Sequence, residues 1–228
     1  MEKIYFADDE KNIRDLLVPF LEHEGFDVLT FDNGKRLYEE YLLNKPELII
    51  LDVMMPVMDG FTVLNKIRET DKSVPIIMLT AKSLDSDFIL AFDLGTDDYF
   101  TKPFSPIKLT LHVKALLNRL RKDKNESQTI FEYEDLIVNM DKRSVSLSNS
   151  TIALTNTEFD LIVVLIRKPE VAHSREDLLS EIWGFEDIES RAVDDTIKRL
   201  RKKIAQYDTS ITIDTIWGYG FTLGKGKK

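Results

Sequence analysis

The chain contains no cysteine, so neither a disulfide framework nor a thiolate metal site is open to it. No apolar run approaches the roughly 18 residues that a membrane-spanning helix requires, and no basic segment followed by a short apolar one opens the sequence. The expectation is a cytoplasmic chain with no membrane attachment. Positive charge is not in surplus: 31 Lys and Arg stand against 40 Asp and Glu, a net charge of −9. That balance argues against bulk affinity for nucleic acid and leaves room only for a local basic patch. Internal repeats and low-complexity tracts are also missing. What is present, 228 residues with 43% hydrophobic and 31% charged, suits a globular protein with a sizeable core, in one large domain or two ordinary ones.

From residue 2 to about 121, short apolar runs alternate with helical periodicity, the pattern of a parallel sheet covered by helices. The runs are KIYFA (3–7), FDVLTF (26–31), ELIILD (47–52), VPIIML (74–79) and DDYFT (97–101). Between the first two, Ile13, Leu16, Leu17, Phe20 and Leu21 recur at helical spacing. Further helices are expected near 34–44, 59–70, 84–94 and 105–121, with turns at DNG (32–34) and MDG (58–60). Residues 119–129, RLRKDKNESQT, lose large apolar side chains after Leu120 and read as a linker. Beyond them come strand-like pieces, three helical patterns (155–168, 174–183, 190–206) and a hairpin-like end (211–223), an independent α+β domain.

Asp8 and Asp9 follow the first apolar run, and because strand side chains alternate, both must lie at or past the strand's end. Asp52 closes the buried run LIILD. In an open parallel sheet, ligands sit outside the carboxyl ends of the strands, and neighbouring first and third strands would gather the three carboxylates. Such a cluster repels itself unless a cation neutralises it, and a hard, oxygen-ligated ion such as Mg²⁺ suits it best. Thr80 and Lys102 stand at the ends of later runs, a hydroxyl and an ammonium fit to hold phosphoryl oxygens. Taken singly, an Asp pair after a strand is more often a solvated turn or helix cap, and a Thr-Ala or Lys-Pro dipeptide says little.

Together, ADDE, ILDVMMPVMDG, MLTA and GTDDYFTKPF, in that order and spacing, resemble the receiver domain of a two-component response regulator over residues 1–121. The resemblance implies a flavodoxin-like, doubly wound five-stranded sheet. It implies Asp52 as the phosphoacceptor, with Thr80 and Lys102 completing the catalytic set. It implies Mg²⁺ on Asp9, Asp52 and the Met54 carbonyl, with Asp8 reached through water, and a cis Lys102–Pro103 bond. Thr80 and Tyr99 would be the switch pair. Tyr99 read alone is simply a strand aromatic.

In SRAVDDTIKRLRKKIAQ (190–206), Val193, Ile197, Leu200 and Ile204 form one apolar stripe, and five of the six residues 198–203 are basic. Residues 123–228 hold 15 Lys and Arg against 19 Asp and Glu, so the patch is local. It reads either as a solvated helix face or as the footprint of a groove-binding helix. Its context, LTNTEFDLIVVLIRKP, SREDLLSEIWG and a GYG hairpin, resembles the winged-helix effector domain of the OmpR/PhoB subfamily, here 130–228 after a linker at 122–129. That resemblance implies α-helical entry into the major groove of promoter DNA, with the hairpin as a wing. Arg191, Lys198, Arg199 and Arg201 are the candidate DNA contacts, Trp183 a core anchor, and 184–190 a loop for RNA polymerase.

Three departures from the subfamily pattern stand out. Trp217 occupies the wing position where Arg is usual. Asp195 joins Asp194 in making the first half of the basic helix acidic. On the face of the fourth and fifth helices and fifth strand, through which the subfamily forms homodimers, Asp93, Asp97 and Arg119 fit, while Phe88, Lys108 and His112 replace basic, acidic and basic residues. The expected function is a regulator phosphorylated by a sensor histidine kinase, an enzyme only in its own phosphorylation and slow dephosphorylation. The alternatives are a DNA binder independent of phosphorylation and a phosphohydrolase with an Asp nucleophile, the latter disfavoured because no general acid–base is evident beside Asp52.

Overall fold

The computed structural model describes residues 1–81, 95–122, 129–184 and 191–226. The chain divides into two units, Met1–Leu117 and Asn118–Lys228.

In the first unit, β1 (Lys3–Ala7), β2 (Asp27–Phe31), β3 (Leu48–Asp52), β4 (Ile76–Ala81) and β5 (Asp98–Lys102) form a sheet in the order β2-β1-β3-β4-β5. Every pairing is parallel, the flavodoxin-like arrangement. The described helices are α1 (Lys11–His23), α2 (Gly34–Leu43), α3 (Gly60–Thr70) and α4 (Pro106–Lys122). The helix expected near 84–94 lies outside the described residues. All five residues of β3 are buried, as a central strand covered on both faces demands. Leu17 and Leu21 of α1 pack against Ile4, Phe6, Ile50 and Leu79, but Leu16 and Phe20, on the edge of the same stripe, remain exposed.

The two turn signals become helix caps. Asn33 accepts a hydrogen bond from the Arg36 amide at 3.0 Å, and Asp59 accepts one from Thr62 at 2.8 Å. Gly60 starts α3 because nothing larger fits: a β-carbon there would lie 2.2 Å from the Asp52 carbonyl oxygen. The absent side chain thus lets α3 begin directly beneath the end of β3.

The second unit opens with an antiparallel sheet of β6 (Ile130–Tyr133), β7 (Leu136–Asn139), β8 (Ser144–Leu147) and β9 (Ser150–Ile152). Then come α5 (Asn156–Arg167), α6 (Arg175–Trp183) and α7 (Arg191–Ile204). A small sheet, ordered β10-β12-β11, joins β10 (His173–Ser174) to the hairpin of β11 (Ile211–Ile216) and β12 (Gly220–Lys225). This is a winged-helix arrangement. Thr155 and Glu158 form a reciprocal capping box at the start of α5. Gly184, with φ of +81°, ends α6 in the left-handed conformation. Val193, Ile197, Leu200 and Ile204 are all buried, as their stripe predicts, and Trp183 is a core residue.

Candidate functional site

The order of the first sheet decides which strand ends meet. Because β1 and β3 are neighbours with Ala7 opposite Leu51, the next residues, Asp8 and Asp52, come side by side. Asp8 and Asp52 are buried and Asp9 is exposed. One carboxylate oxygen from each of the three lies within 4.8 Å of the others. Lys102, ending β5, reaches over the strand between and brings its Nζ to 2.8 Å from Asp52 Oδ1 and 2.9 Å from Asp8 Oδ2. The remaining oxygen of Asp52 accepts from the Met54 amide at 3.0 Å. The Lys102–Pro103 peptide is cis.

Burial is the main reason that Asp52 has its pKa pushed up to about 6; Lys102 opposes this, and the nearby Asp8 and Asp9 add to it. The Asp8 carboxyl is likewise raised, again chiefly by burial against the pull of Lys102. For Lys102 burial works the other way, but its contacts with Asp52 and Asp8 outweigh it and hold the ammonium above its ordinary pKa. The site is an oxygen-lined pocket of three carboxylates, two of them paired with the Lys102 ammonium.

Thr80, the penultimate residue of β4, is half-buried, with its hydroxyl donating to the Ala81 carbonyl at 3.2 Å. Tyr99 is buried in β5. Met54 is exposed at the rim of the pocket. Two residues that no motif assigns a role also belong here. Glu10 places Oε1 3.3 Å from Lys102 Nζ, and Arg14 donates to the Asp8 carbonyl. Both lie in or just after the ADDE motif, and only the fold shows where their side chains go.

The expected dimer face needs correction at Asp97. Its carboxylate is fully buried and paired with Arg68 Nη2 at 2.8 Å, while also accepting from the Ile76 amide at 2.9 Å. Arg68 of α3 donates further to the carbonyls of Gly95 and Val74. Asp97 is therefore a buried staple between α3 and the starts of β4 and β5, not a surface charge. His112 also turns inward, with Nδ1 3.0 Å from Asp98 and its ring edge-on to Phe100. Lys108 is exposed. Arg119 lies near the C-terminal end of α4. Asp93 and Phe88 lie outside the described residues.

The basic run on α7 also separates by face. Arg199 is 5% exposed, with Nε 3.6 Å from the buried carboxylate of Glu158 and Nη2 3.2 Å from Thr196 Oγ1. Lys203 also pairs with Glu158. Arg201 turns to the hairpin, where Nε donates to the Ile213 carbonyl at 2.7 Å, Nη2 to Thr215 Oγ1 at 2.9 Å, and the guanidinium lies over Phe221. Arg199 and Arg201 thus both make contacts within the domain, to α5 and to the hairpin. Lys198 and Lys202 are exposed. The side chain of Arg191 and the loop 185–190 lie outside the described residues.

The acidic first half of α7 is partly neutralised, since Asp194 receives two hydrogen bonds from Arg175, at 2.9 and 3.0 Å. Asp195 is half-buried. Trp217, at the hairpin turn, is 92% exposed, and the Arg175 amide donates to the carbonyl of Tyr219 two residues on. The hairpin tip and the first half of α7 are therefore tied together through Arg175.

Comparison with known proteins agrees with both halves. Residues 4–114 match the family model "Response regulator receiver domain", and residues 149–223 match "Transcriptional regulatory protein, C terminal". The chain is 40% identical over 223 residues to the uncharacterized transcriptional regulatory protein YclJ of Bacillus subtilis (strain 168), covering 96% of this chain and 97% of that protein. It is 38% identical over 227 residues to the transcriptional regulatory protein SrrA of Staphylococcus aureus, covering 96% and 94%. Among solved structures it is similar to DrrB, an OmpR/PhoB homolog of Thermotoga maritima, at 33% identity and a TM-score of 0.51 over 98% of this chain and 99% of that one. In fold alone it also matches a mutant of RitR, with a TM-score of 0.79 at 23% identity over 99% and 100%. Among the described residues, no helix is long and apolar enough to cross a membrane. A receiver and a transcriptional-regulatory domain in one chain, matched along nearly its whole length by transcriptional regulators, place this protein in the OmpR/PhoB family of two-component response regulators, as a DNA-binding regulator of transcription.

Proposed function

We propose that the protein is switched by phosphorylation of Asp52, with a sensor histidine kinase as donor, and that the phosphorylated form dimerises and binds promoter DNA in the cytoplasm. The observation that carries this reading is the buried Asp52 carboxylate with Lys102 at 2.8 Å and two further carboxylates beside it. Asp52 remains largely ionised at neutral pH, so an oxygen lone pair is available for in-line attack on phosphorus. The new bond forms between Asp52 and phosphorus as the bond to the donor breaks, and the leaving group departs with that electron pair. Lys102 then offsets charge on a phosphoryl oxygen, and Thr80 donates its hydroxyl to another. Tyr99, buried in β5 beside β4, is the second member of the switch.

The donor set fits Mg²⁺: three carboxylates with hard oxygens, drawn together against their own repulsion, with the single ammonium of Lys102 bonded to two of them. Asp9, Asp52 and the Met54 carbonyl would hold the ion, with Asp8 behind them through water. When bound, it supplies positive charge for the phosphoryl oxygens. In the receiver (1–121) the exposed pocket rim receives the donor. In the effector (130–228), joined by a linker at 122–129, α7 enters the major groove, with Arg191, Lys198 and Lys202 toward DNA and Trp217 on the wing. RNA polymerase is the further partner, and the homodimer uses the receiver without Asp97.

Intact-mass measurement tests the core of this. With acetyl phosphate and Mg²⁺, the full-length chain should gain one phosphoryl group, and Asp52→Asn should gain none. Normal labelling of Asp52→Asn, or normal labelling in EDTA, would overturn the assignment. Continuous release of phosphate at many turnovers per minute would instead support the phosphohydrolase.

A further inference from the structure

The ammonium of Lys102 has three N–H donors, and three carboxylates surround it. Asp52 Oδ1 stands at 2.8 Å, Asp8 Oδ2 at 2.9 Å and Glu10 Oε1 at 3.3 Å. Asp8 and Asp52 are buried, whereas the Glu10 side chain is 52% exposed. A phosphoryl oxygen arriving at Asp52 competes with these carboxylates for Lys102, whose hydrogen bond to Glu10 meets the incoming group first, while Asp8 Oδ2 is close but accepts no hydrogen bond. Asp8 and Asp52 are buried at their strand ends and have no water to turn into. Glu10 makes the longest contact and has water beside it, so its release costs least.

We propose that Glu10 is the displaceable third partner of Lys102 and thereby a specificity-determining residue at the mouth of the phosphoacceptor pocket. This rests on Asp52 as phosphoacceptor and concerns the regulation of that same site. An incoming phosphodonor must compete with Glu10 for Lys102 and pass its negative charge. Small dianionic donors in solution are disfavoured most, because they bring little binding energy of their own to offset the displacement. A protein donor, docked through other contacts, is held at the pocket long enough to displace Glu10. The residue therefore biases phosphorylation toward a docked protein donor and against free acyl phosphates.

Glu10 suits this role because the fold does not depend on its side chain. It occupies the N-cap position of α1 without making a side-chain cap, and its link to Asp8 runs through the backbone amide, which donates to Asp8 Oδ1 at 3.0 Å. Substitution leaves that hydrogen bond in place.

The test measures labelling of the full-length chain by intact mass in Mg²⁺, using acetyl phosphate and, separately, phosphoramidate, which carries less negative charge. Glu10→Ala should label faster than wild type with acetyl phosphate, by roughly two- to five-fold at low ionic strength, the range an exposed ion pair spans. Glu10→Gln, which keeps the shape and loses the charge, should share the gain. The gain should shrink towards unity at about 1 M salt, where charges are screened within roughly 3 Å, and should be smaller with phosphoramidate. A purely structural effect would move neither dependence. Equal rates for Glu10→Ala and wild type at low salt would overturn the gate, as would a gain indifferent to salt and donor charge. If Asp52→Asn abolishes labelling while Glu10→Ala labels no faster, the gate alone fails. If labelling survives Asp52→Asn, the phosphoacceptor assignment fails and takes the gate with it. A thermal melt of each variant shows whether the fold is intact.

Discussion

Replacing Arg199 distinguishes a DNA contact from a strut more sharply than any other change in the effector domain. Arg199→Ala removes one of two cations from Glu158, a carboxylate with 1% side-chain exposure. Breaking a buried pair by removing one partner costs about 3–5 kcal/mol. Lys203 remains on Glu158, and the Thr155 amide still donates to it at 2.9 Å, so the lower end applies, about 3 kcal/mol. Both tryptophans, Trp183 and Trp217, lie in the second unit, so tryptophan emission during denaturant unfolding of the full-length chain reports that unit alone. Trp183 is buried and should dominate the change. Arg199→Ala should shift the midpoint strongly downward, whereas the exposed Lys198→Ala should stay within about 0.5 kcal/mol of wild type. In DNA binding the order reverses. Lys198→Ala should weaken binding to all sequences and lower the salt slope by roughly one unit. Arg199→Ala, measured well below its melting point, should keep the wild-type slope. A variant Arg199→Ala that melts like wild type and loses one unit of slope would refute the strut and restore the contact.

The remaining predictions concern the switch, the wing and a buried-edge carboxylate. Thr80→Ala should still accept a phosphoryl group on Asp52, because Thr80 is not the nucleophile and its hydroxyl donates to the Ala81 carbonyl; sedimentation of the phosphorylated variant should nevertheless show less dimer than wild type. Trp217→Arg should leave the melt unchanged, because the side chain is 92% exposed, and should raise DNA affinity with a salt slope steeper by roughly one unit; an unchanged slope would keep the wing away from phosphate. Asp135 ties the turn after β8 to the segment after α7 by accepting from Ser148, Thr209 and Ser210, and these bonds outweigh the burial that raises its pKa and lower it to about 2. A folded pKa below the unfolded one means stabilisation that is complete above about pH 4 and fades as pH falls toward 2. Allowing for partial exposure, Asp135→Ala should cost about 1 kcal/mol at neutral pH and almost nothing near pH 2, read from the same emission curves.

Which residues could be read from sequence depended on whether a single element fixed their place. A parallel sheet puts every strand's carboxyl end on one edge, so the ends of five apolar runs were enough to bring Asp8, Asp9, Asp52, Thr80 and Lys102 together. Asp97 could not be judged that way. It lies one residue before β5 and looks like a loop charge, but Arg68, 29 positions earlier in α3, pairs with it in the interior. Glu10 carried no periodic signal either, since its partner is 92 positions away. The basic run on α7 is a different case. At about 100° per residue, Arg201 and Lys203 flank the stripe of Val193, Ile197, Leu200 and Ile204, but Arg199 and Lys198 lie equally far from its centre, roughly 130° to either side. Position on the helix therefore does not separate those two; Glu158 of α5 draws Arg199 inward, as the Ile213 carbonyl of β11 does Arg201, and neither partner is visible from the run itself. Of the five basic residues in 198–203, Lys198 and Lys202 are the exposed ones, and in the function proposed above so small a field on a chain of net charge −9 would make occupancy of DNA depend on pairing two effector domains.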